Sequence, residues 1–111
     1  FNEIMGASKS DSFSIEHNEM ANLFKALSHP ARVAIVEYLL SVDSCICGDI
    51  VEVLPLAQPT VSQHLKELKN ANIIKGSIDG TAICYCINPT TIEIIEKYFG
   101  SINKQLKNKC C

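Results

Sequence analysis

Apolar residues recur three or four positions apart in five stretches of this chain, which is the spacing of helices with one buried face. Proline residues at positions 30 and 55 and the Asn88-Pro89 pair separate some of these stretches, because proline begins or ends helices. Residues 1–13 are polar and aperiodic, which predicts a flexible N-terminal segment before one folded domain over residues 14–111. The predicted inward-facing positions of the five helices are Met20, Leu23, Phe24 and Leu27; Val33, Val36, Leu39 and Leu40; Ile50, Val53 and Leu54; Val61, Leu65 and Leu68; and Ile92, Ile95, Phe99, Ile102 and Leu106.

Two runs of β-prone residues, 73–78 and 81–87, are separated by Asp79-Gly80, which is a strong hairpin signal. A shorter extended segment, residues 45–47, precedes the third helix. The resulting order is helix, helix, short strand, helix-turn-helix, hairpin and helix. The sequence therefore predicts a mainly α fold with a small β hairpin or sheet, namely a winged helix-turn-helix in which the hairpin is the wing.

The last predicted helix carries its apolar residues in a narrow seam, spaced alternately three and four apart from Ile92 to Leu106. This heptad-like spacing suits packing against another helix, which favours a homodimer formed through the terminal helices. Burial in the chain's own core would produce the same spacing and is the alternative.

The fourth predicted helix, the second of the helix-turn-helix, has a polar face opposite its buried residues. In helix-turn-helix proteins this second helix enters the major groove of DNA. Short polar side chains suit base edges and phosphates, and Lys75 in the adjoining hairpin suits a backbone contact. Polar residues on any solvated helix would look the same, so the residues alone leave both interpretations open. The candidate contacts on the helix are Gln58, Thr60, Ser62, Gln63, His64 and Lys66.

Composition narrows the functional classes only slightly. The chain has 111 residues, enough for one domain, and a net charge of −2 that gives no global attraction to nucleic acid. No apolar run approaches the roughly 20 residues that span a membrane, and no secretory signal is visible. We therefore predict a cytoplasmic protein without a membrane partner. No set of nucleophile, base and orienting residue is visible, so we predict that the chain is not an enzyme.

Six cysteines occur as three close pairs. Alternate residues of a strand share one face, so pairing of the short strand with the second hairpin strand would bring four thiols together. Four thiolates suit Zn(II) or another soft divalent ion, and three suit As(III) or Sb(III). Cysteine is also a small apolar residue that fits strands, which is the alternative explanation. Because no export signal is visible, the thiols are predicted to be reduced or metal-bound. The candidate ligands are Cys45, Cys47, Cys84 and Cys86, and Cys110 and Cys111 are further candidates.

Three stretches of the chain resemble the ArsR/SmtB family of small dimeric winged-helix repressors. They are residues 23–32 (LFKALSHPAR), residues 60–68 (TVSQHLKEL), and residues 76–85 with Gly80 at the turn of the wing. The resemblance spans residues 21–88 in the family's order. It implies a homodimer that binds a palindromic operator and is released when an inducer, commonly a metal or metalloid ion, binds.

Metal- and metalloid-responsive members of that family carry a Cys-x-Cys pair near the start of the first DNA-binding helix, where Cys45 and Cys47 occur. Counting back without gaps from Ser62, the family's cysteine positions fall on Ile46 and Gly48. This chain thus resembles a member with Gly48 inserted, and it lacks the third cysteine of the arsenite-type motif. The familiar three-thiolate site does not transfer, and the cross-strand cysteines are its predicted substitute. The predicted function is a repressor released when a thiophilic ion such as arsenite binds these thiolates.

Other roles of the thiols stay open. A redox or reactive-sulfur switch would use the same fold and close a disulfide or polysulfide bridge, but family members of that type carry a cysteine near the position of Glu37. A structural zinc site would stabilise folding without changing DNA affinity. A thiol oxidoreductase usually has Cys-x-x-Cys at a helix start, unlike the two internal pairs here. Members of the resembled family have another sensor site, formed by carboxylates and histidines along the last helix. The last helix of this chain has no histidine, so that site is not expected here.

Overall fold

The structure is a computed structural model that describes residues 12–42, 46–47, 50, 54–79 and 82–109, with residues 46–47, 77–79 and 82 described through their backbone. Within these residues the chain forms four α-helices and three β-strands in the predicted order. No helix among them is both long and apolar enough to cross a membrane. The elements are α1 Ile15–Ala26, α2 Pro30–Ser41, β1 Ile46–Cys47, α3 Gln58–Asn70, β2 Ile74–Asp79, β3 Ala82–Ile87 and α4 Pro89–Leu106.

Two predicted segments lie wholly or partly outside the described residues. Of the helix predicted before α3, Ile50 has helical backbone and is buried, and Leu54 packs against the core. Val53 lies outside the described residues. The same is true of the predicted flexible N-terminal segment except for its last two residues, 12 and 13. The division into a flexible segment and one domain therefore stays a prediction.

Three helices are preceded by a residue whose side chain accepts a hydrogen bond from a backbone N–H of the first turn. His29 Nδ1 accepts from the backbone N–H of Ala31 at 3.0 Å. Pro30 follows at the first helical position, where its missing N–H would have no intrahelical partner anyway. His29 thereby caps the N-terminus of α2. The other two caps are Ser14 before α1 and Asn88 before α4.

A tight turn joins α3 to β2 and sets the direction of the wing relative to that helix. Asn72 has a φ of 62°, the left-handed conformation that asparagine tolerates better than most residues. Two backbone bonds close the turn, from Asn72 N–H to Lys69 C=O at 2.9 Å and from Ile73 N–H to Leu68 C=O at 3.0 Å. Thr91 donates its hydroxyl to the Asn72 carbonyl at 2.5 Å. The start of α4 is thereby tied to the same turn.

The three strands form an antiparallel sheet in the order β1–β3–β2. β1 pairs with β3, the second hairpin strand, as the sequence predicted. Tyr85 and Ile87 of β3 pack against the core on one side of the sheet. Strand alternation from Tyr85 and Ile87 would place Ile83 on the core side as well, but it is exposed because it lies farther along the wing.

The hairpin turn lies one residue later than predicted. β2 continues through Asp79, which pairs with Ala82, so residues 80 and 81 connect the strands. The register follows apolar pairs of the hairpin such as Ile74 opposite Ile87, and the turn has to accommodate that register. Residues 80 and 81 themselves lie outside the described residues.

The core includes residues of α2, α3 and the sheet. On α2, Ile35 and Leu39 are buried, whereas Val33 and Leu40, which were predicted to point inward, are exposed. Apolar residues occur on several sides of α2, so spacing alone could not tell which side the core would cover. The buried apolar residues of the core are Ala26, Ile35, Leu39, Ile50, Val61, Leu65, Leu68, Ile73 and Ile74.

Candidate nucleic-acid interface and cysteine site

The helix α3 buries one face and leaves the other in solvent. Val61, Leu65 and Leu68 are buried in the core, as predicted. Lys75 on the neighbouring strand β2 is exposed. The exposed side of α3 and the wing therefore offers amide, hydroxyl and ammonium groups, which can pair with base edges and phosphates. The predicted contacts exposed on α3 are Gln58, Thr60, Ser62, Gln63 and Lys66.

His64 lies elsewhere than predicted. Only 8% of its surface is exposed, and its ring centroid lies 4.3 Å from that of His29. Its Nδ1 accepts a hydrogen bond from Arg32 Nε at 3.1 Å. The prediction that His64 belongs to the exposed face is wrong, because its position three residues after Val61 puts it at the edge of the buried face.

The surroundings of His64 favour its neutral form. Burial lowers the pKa of His64, and its electrostatic interactions with His29 and Arg32 lower it further. Arg32 also donates through Nη1 to the carbonyl of Ala26 at 3.3 Å, so one guanidinium contacts the last turn of α1 and the middle of α3. No spacing in the sequence indicated this bond, because Arg32 and His64 are 32 residues apart.

Cys84 lies where β3 is paired with a strand on each side, and Cys86 lies two residues farther along β3. Cys47 of β1 is directly opposite Cys84, and Lys75 of β2 is directly opposite Cys86. Cys84 is only 5% exposed and Cys86 is partly buried. Because Tyr85 alternates with them and packs against the core, Cys84 and Cys86 project from the other side of the sheet.

Both Cys84 and Cys86 are disulfide-bonded. The sequence predicted reduced thiols or metal ligands, so this is a difference from expectation. Directly opposite residues in a sheet have Cβ atoms about 4.5–5.5 Å apart, and a disulfide needs about 3.5–4.5 Å, so small shifts suffice to bond cysteines on neighbouring strands. A sulfur in a disulfide offers no thiolate to an ion. Ion binding by these two residues therefore requires their reduction first.

The complete four-cysteine site stays a prediction. Within the part of the chain that the structure describes, no group of three His, Cys, Asp or Glu residues is arranged to hold a metal ion. Cys45, Cys110 and Cys111 lie outside that part, and Cys47 is described through its backbone alone. Once reduced, the soft sulfur donors of β3 would suit thiophilic ions better than hard ones.

The terminal helices present an apolar surface. Phe24 of α1 lies 5.7 Å from Tyr98 and 5.6 Å from Phe99 of α4, measured between ring centroids. Phe99 is 53% exposed and Leu106 is 58% exposed. The seam predicted on the last helix is therefore not buried in the chain's own core. We call this the terminal-helix surface, and its residues are Phe24, Ile92, Tyr98, Phe99, Ile102 and Leu106.

The segment that contains α3 matches a known family model. Residues 29–75 match the model described as bacterial regulatory protein, arsR family. The chain is 38% identical over 74 residues to the transcriptional repressor SdpR of Bacillus subtilis (strain 168), which covers 67% of this chain and 81% of SdpR. The chain belongs to the ArsR family.

Longer matches agree with this membership. The arsenical resistance operon repressor of Staphylococcus xylosus is 27% identical over 97 residues, covering 87% of this chain and 92% of the relative. The crystal structure of an ArsR family transcriptional regulator superimposes with a TM-score of 0.74 over 84% of this chain and 95% of the other. At 16% identity that likeness shows the fold alone, and it confirms the predicted winged helix-turn-helix. The chain is a transcriptional repressor of the ArsR family, and the family consists of DNA-binding regulators, not enzymes, as predicted.

Proposed function

We propose that this ArsR-family chain is a homodimeric repressor that binds a palindromic operator through α3 and the wing, and that a thiophilic ion such as arsenite releases it. The observation that carries the proposal is the register of the sheet. Cys47 lies opposite Cys84, and Cys86 lies opposite Lys75, so the cysteines and a candidate DNA contact belong to the same few rungs of the wing sheet. The repressor would act in the cytoplasm.

The terminal-helix surface supports the homodimer. A helix that keeps Phe99 and Leu106 more than half exposed leaves apolar area in water, which burial against a second copy would remove. A homodimer with two-fold symmetry would present two copies of α3, and these match the two halves of a palindromic operator.

The exposed side of α3 supports the DNA contact. Gln63 and Lys66 lie on this side, and an amide can form two hydrogen bonds with adenine while an ammonium group binds phosphate. We expect Gln63→Ala to weaken binding to selected operator duplexes by about 1–3 kcal/mol without lowering stability. Lys104→Ala on α4 is the matched control, since it also removes an exposed polar side chain. Equal losses in the two variants would count against α3 as the reading helix.

The chemistry of release follows from the sulfur donors. Arsenous acid reacts with three thiols to give three As–S bonds and three water molecules, so no oxidant or reductant is needed. Three of Cys45, Cys47, Cys84 and Cys86 would supply these thiols, and all four would suit Zn(II) or another soft divalent ion. A bridge from β1 to β3 would link the strand that leads into the helix-turn-helix with the wing. Closing it would shift the wing relative to α3, and by linkage DNA and ion must weaken each other equally.

The test uses fully reduced protein on operator duplexes. Arsenite, antimonite, Zn(II) and Cd(II) are titrated against the wild type and against the double variant Cys84→Ser/Cys86→Ser, which leaves only two of the four candidate thiols. We expect this variant to lose release by arsenite, because three thiols are needed, while Tyr85→Phe, on the same strand but the opposite side of the sheet, keeps it. Full release from the double variant would exclude the site. Zn(II) that raises the melting temperature but leaves DNA affinity unchanged would indicate a purely structural site.

A second function is favoured by the oxidised state of β3. Because Cys84 and Cys86 are disulfide-bonded, we also propose a redox or reactive-sulfur switch on the same strands. Two thiols would lose two electrons and two protons to a peroxide, which is reduced to two waters, and form one S–S bond. Operator release by peroxide or polysulfide alone would favour this function, and release of reduced protein by thiophilic ions alone would favour the first.

A further inference from the structure

A single guanidinium group connects three helices of this repressor. Arg32, on the first turn of α2, donates from Nη1 to the carbonyl of Ala26 at the end of α1, 3.3 Å away. From Nε it donates to Nδ1 of His64 in α3, 3.1 Å away. These two bonds of Arg32 together join α3, the helix that carries the candidate DNA contacts, to α2 and to the end of α1.

The bond fixes the protonation state of His64. An arginine side chain is always charged, and its Nε can only donate. The nitrogen of His64 that faces it must therefore carry a lone pair, which leaves the ring proton on Nε2. A second proton on His64 would set two N–H groups against each other and add a positive charge beside Arg32. Protonation and the Arg32 bond therefore exclude each other.

We propose that Arg32 is a positioning residue for α3. Protonation of His64 breaks the Arg32–His64 hydrogen bond, called the link below, and weakens DNA binding in mild acid. The inference rests on the proposed contact between α3 and DNA. With the link closed, α3 is held against both α1 and α2. With the link open, α3 keeps its buried apolar face but loses the polar contact that sets its position along the other helices.

The charges around the link favour its closed form near neutral pH. From α2, His29 stacks near His64 and Arg32 donates to it. From α1, Lys25 lines the groove beside Arg32, and on α3 itself Glu67 lines the same groove. Burial of His64, followed by its electrostatic interactions with His29 and Arg32, keeps its pKa below the ordinary value, so the link opens only in acid.

The predicted pH dependence has an unusual sign. Protonation of histidines makes a protein more positive, and added positive charge normally strengthens binding to the DNA backbone. The link predicts the opposite, a loss of affinity as the pH falls. A general electrostatic effect and the proposed effect are therefore distinguishable by sign.

The first experiment measures affinity for duplexes selected from a random-sequence library by the reduced protein. Fluorescence anisotropy at constant salt compares about pH 7.5 with about pH 5, well below the ordinary histidine pKa of about 6.5, because the pKa of His64 is lowered. We expect the wild type to bind about fivefold or more weakly at the lower pH, the low end of typical coupling between sites. His64→Asn should remove this dependence, because the asparagine carbonyl oxygen can accept from Arg32 but does not titrate.

Two further variants separate positioning from general stability. Arg32→Ala should bind more weakly at both pH values and lose the pH dependence. His17→Asn removes an exposed histidine on α1 and should keep the full wild-type dependence. A wild type whose affinity for DNA is constant or rises in acid would overturn the proposal. So would a loss of affinity in acid that is as large in His64→Asn as in the wild type.

A second measurement reports on the link without DNA. Nitrogen-15 spectra of the wild-type imidazoles at neutral pH should show His64 as the neutral tautomer with its proton on Nε2. A proton on Nδ1 would overturn the link whatever the DNA data show. If no variant binds any duplex at any pH, the proposed DNA interface fails, and the tautomer still decides whether Arg32 and His64 are joined.

Discussion

The helices α3 and α4 are both amphipathic in sequence, but the apolar face of α3 is buried in the chain's own core whereas that of α4 is exposed. On α3, Val61 and Leu68 are fully buried against the rest of the chain. On α4, Phe99 and Leu106 are more than half exposed, although their spacing is as regular. An apolar stripe therefore shows that a face will be covered, but it does not show which part of the chain or which partner covers it.

What each helix leaves in solvent differs accordingly. The free side of α3 is polar and offers hydrogen-bonding groups, which suits a polar ligand such as DNA. The free side of α4 is apolar, which suits a second copy of the same chain. Variants in the two helices should therefore differ. Changes in the buried face of α3 should lower the stability of each chain, and changes in the exposed face of α4 should weaken the proposed association of two copies.

The largest effect is expected in the buried face of α3. Leu68→Ala should lower the free energy of unfolding by about 2–5 kcal/mol, because it leaves a cavity where Leu68 is fully buried. Urea unfolding at two or more protein concentrations should show this loss at each of them. Lys104→Ala, exposed on α4, should stay within about 0.5 kcal/mol of the wild type. A loss no greater than in this control would mean that α3 is not held by its apolar face.

The next effect concerns the apolar face of α4. Phe99→Glu should weaken self-association by about 2 kcal/mol or more, roughly thirtyfold, because it puts a charge at the centre of the proposed interface. Sedimentation equilibrium would measure the dissociation constant, with Lys104→Ala again as the control. The melting temperature of the variant should also lose its dependence on protein concentration. An unchanged dissociation constant would mean that the apolar seam of α4 does not form the dimer interface.

A smaller effect tests how polar contacts add to the apolar packing of α3. The folded protein keeps His64 neutral with a lowered pKa, so above the ordinary pKa of histidine this contribution to stability is complete. It is lost as the pH falls through that value towards the lower folded pKa, because the unfolded chain binds the proton first. The loss cannot exceed about 1.4 kcal/mol per pH unit for one proton. Urea unfolding between neutral and mildly acidic pH should show a steeper decline for the wild type than for His64→Asn, and parallel curves would exclude His64 as the source.

Local patterns predicted the elements well, and long-range contacts were harder to predict. The spacing of Val61, Leu65 and Leu68 identified the buried side of α3, and the β-prone runs identified the wing. The exact turn of the hairpin was missed by one residue, since the register depends on pairs far from the turn. The burial of His64 was missed although its spacing from Val61 places it at the edge of the buried face, and its bond to Arg32 on another helix left no signal in the spacing.

The cysteines illustrate the same limit. Their alternation in β3 was predicted from strand spacing, and the pairing of β1 with β3 was predicted from the strand arrangement common in winged helices. Their oxidation state was not predicted, since it depends on how closely neighbouring strands bring the sulfurs and on the surrounding redox potential. Spacing can therefore propose which thiols meet but not what bond they form.

The smallest effect is expected at the wing, and it tests whether the polar side of the α3 region is a specific DNA surface. Lys75 is exposed on β2, and Lys104 is exposed on α4, so Lys75→Gln and Lys104→Gln remove the same charge from the two regions. If Lys75 binds a phosphate, its loss should weaken all duplexes uniformly and reduce the slope of log affinity against log salt by about 1. Lys104→Gln should leave that slope unchanged, because α4 lies outside the proposed DNA surface. Equal changes in both slopes would mean that DNA responds to the overall charge of the protein and that the wing has no special part in binding.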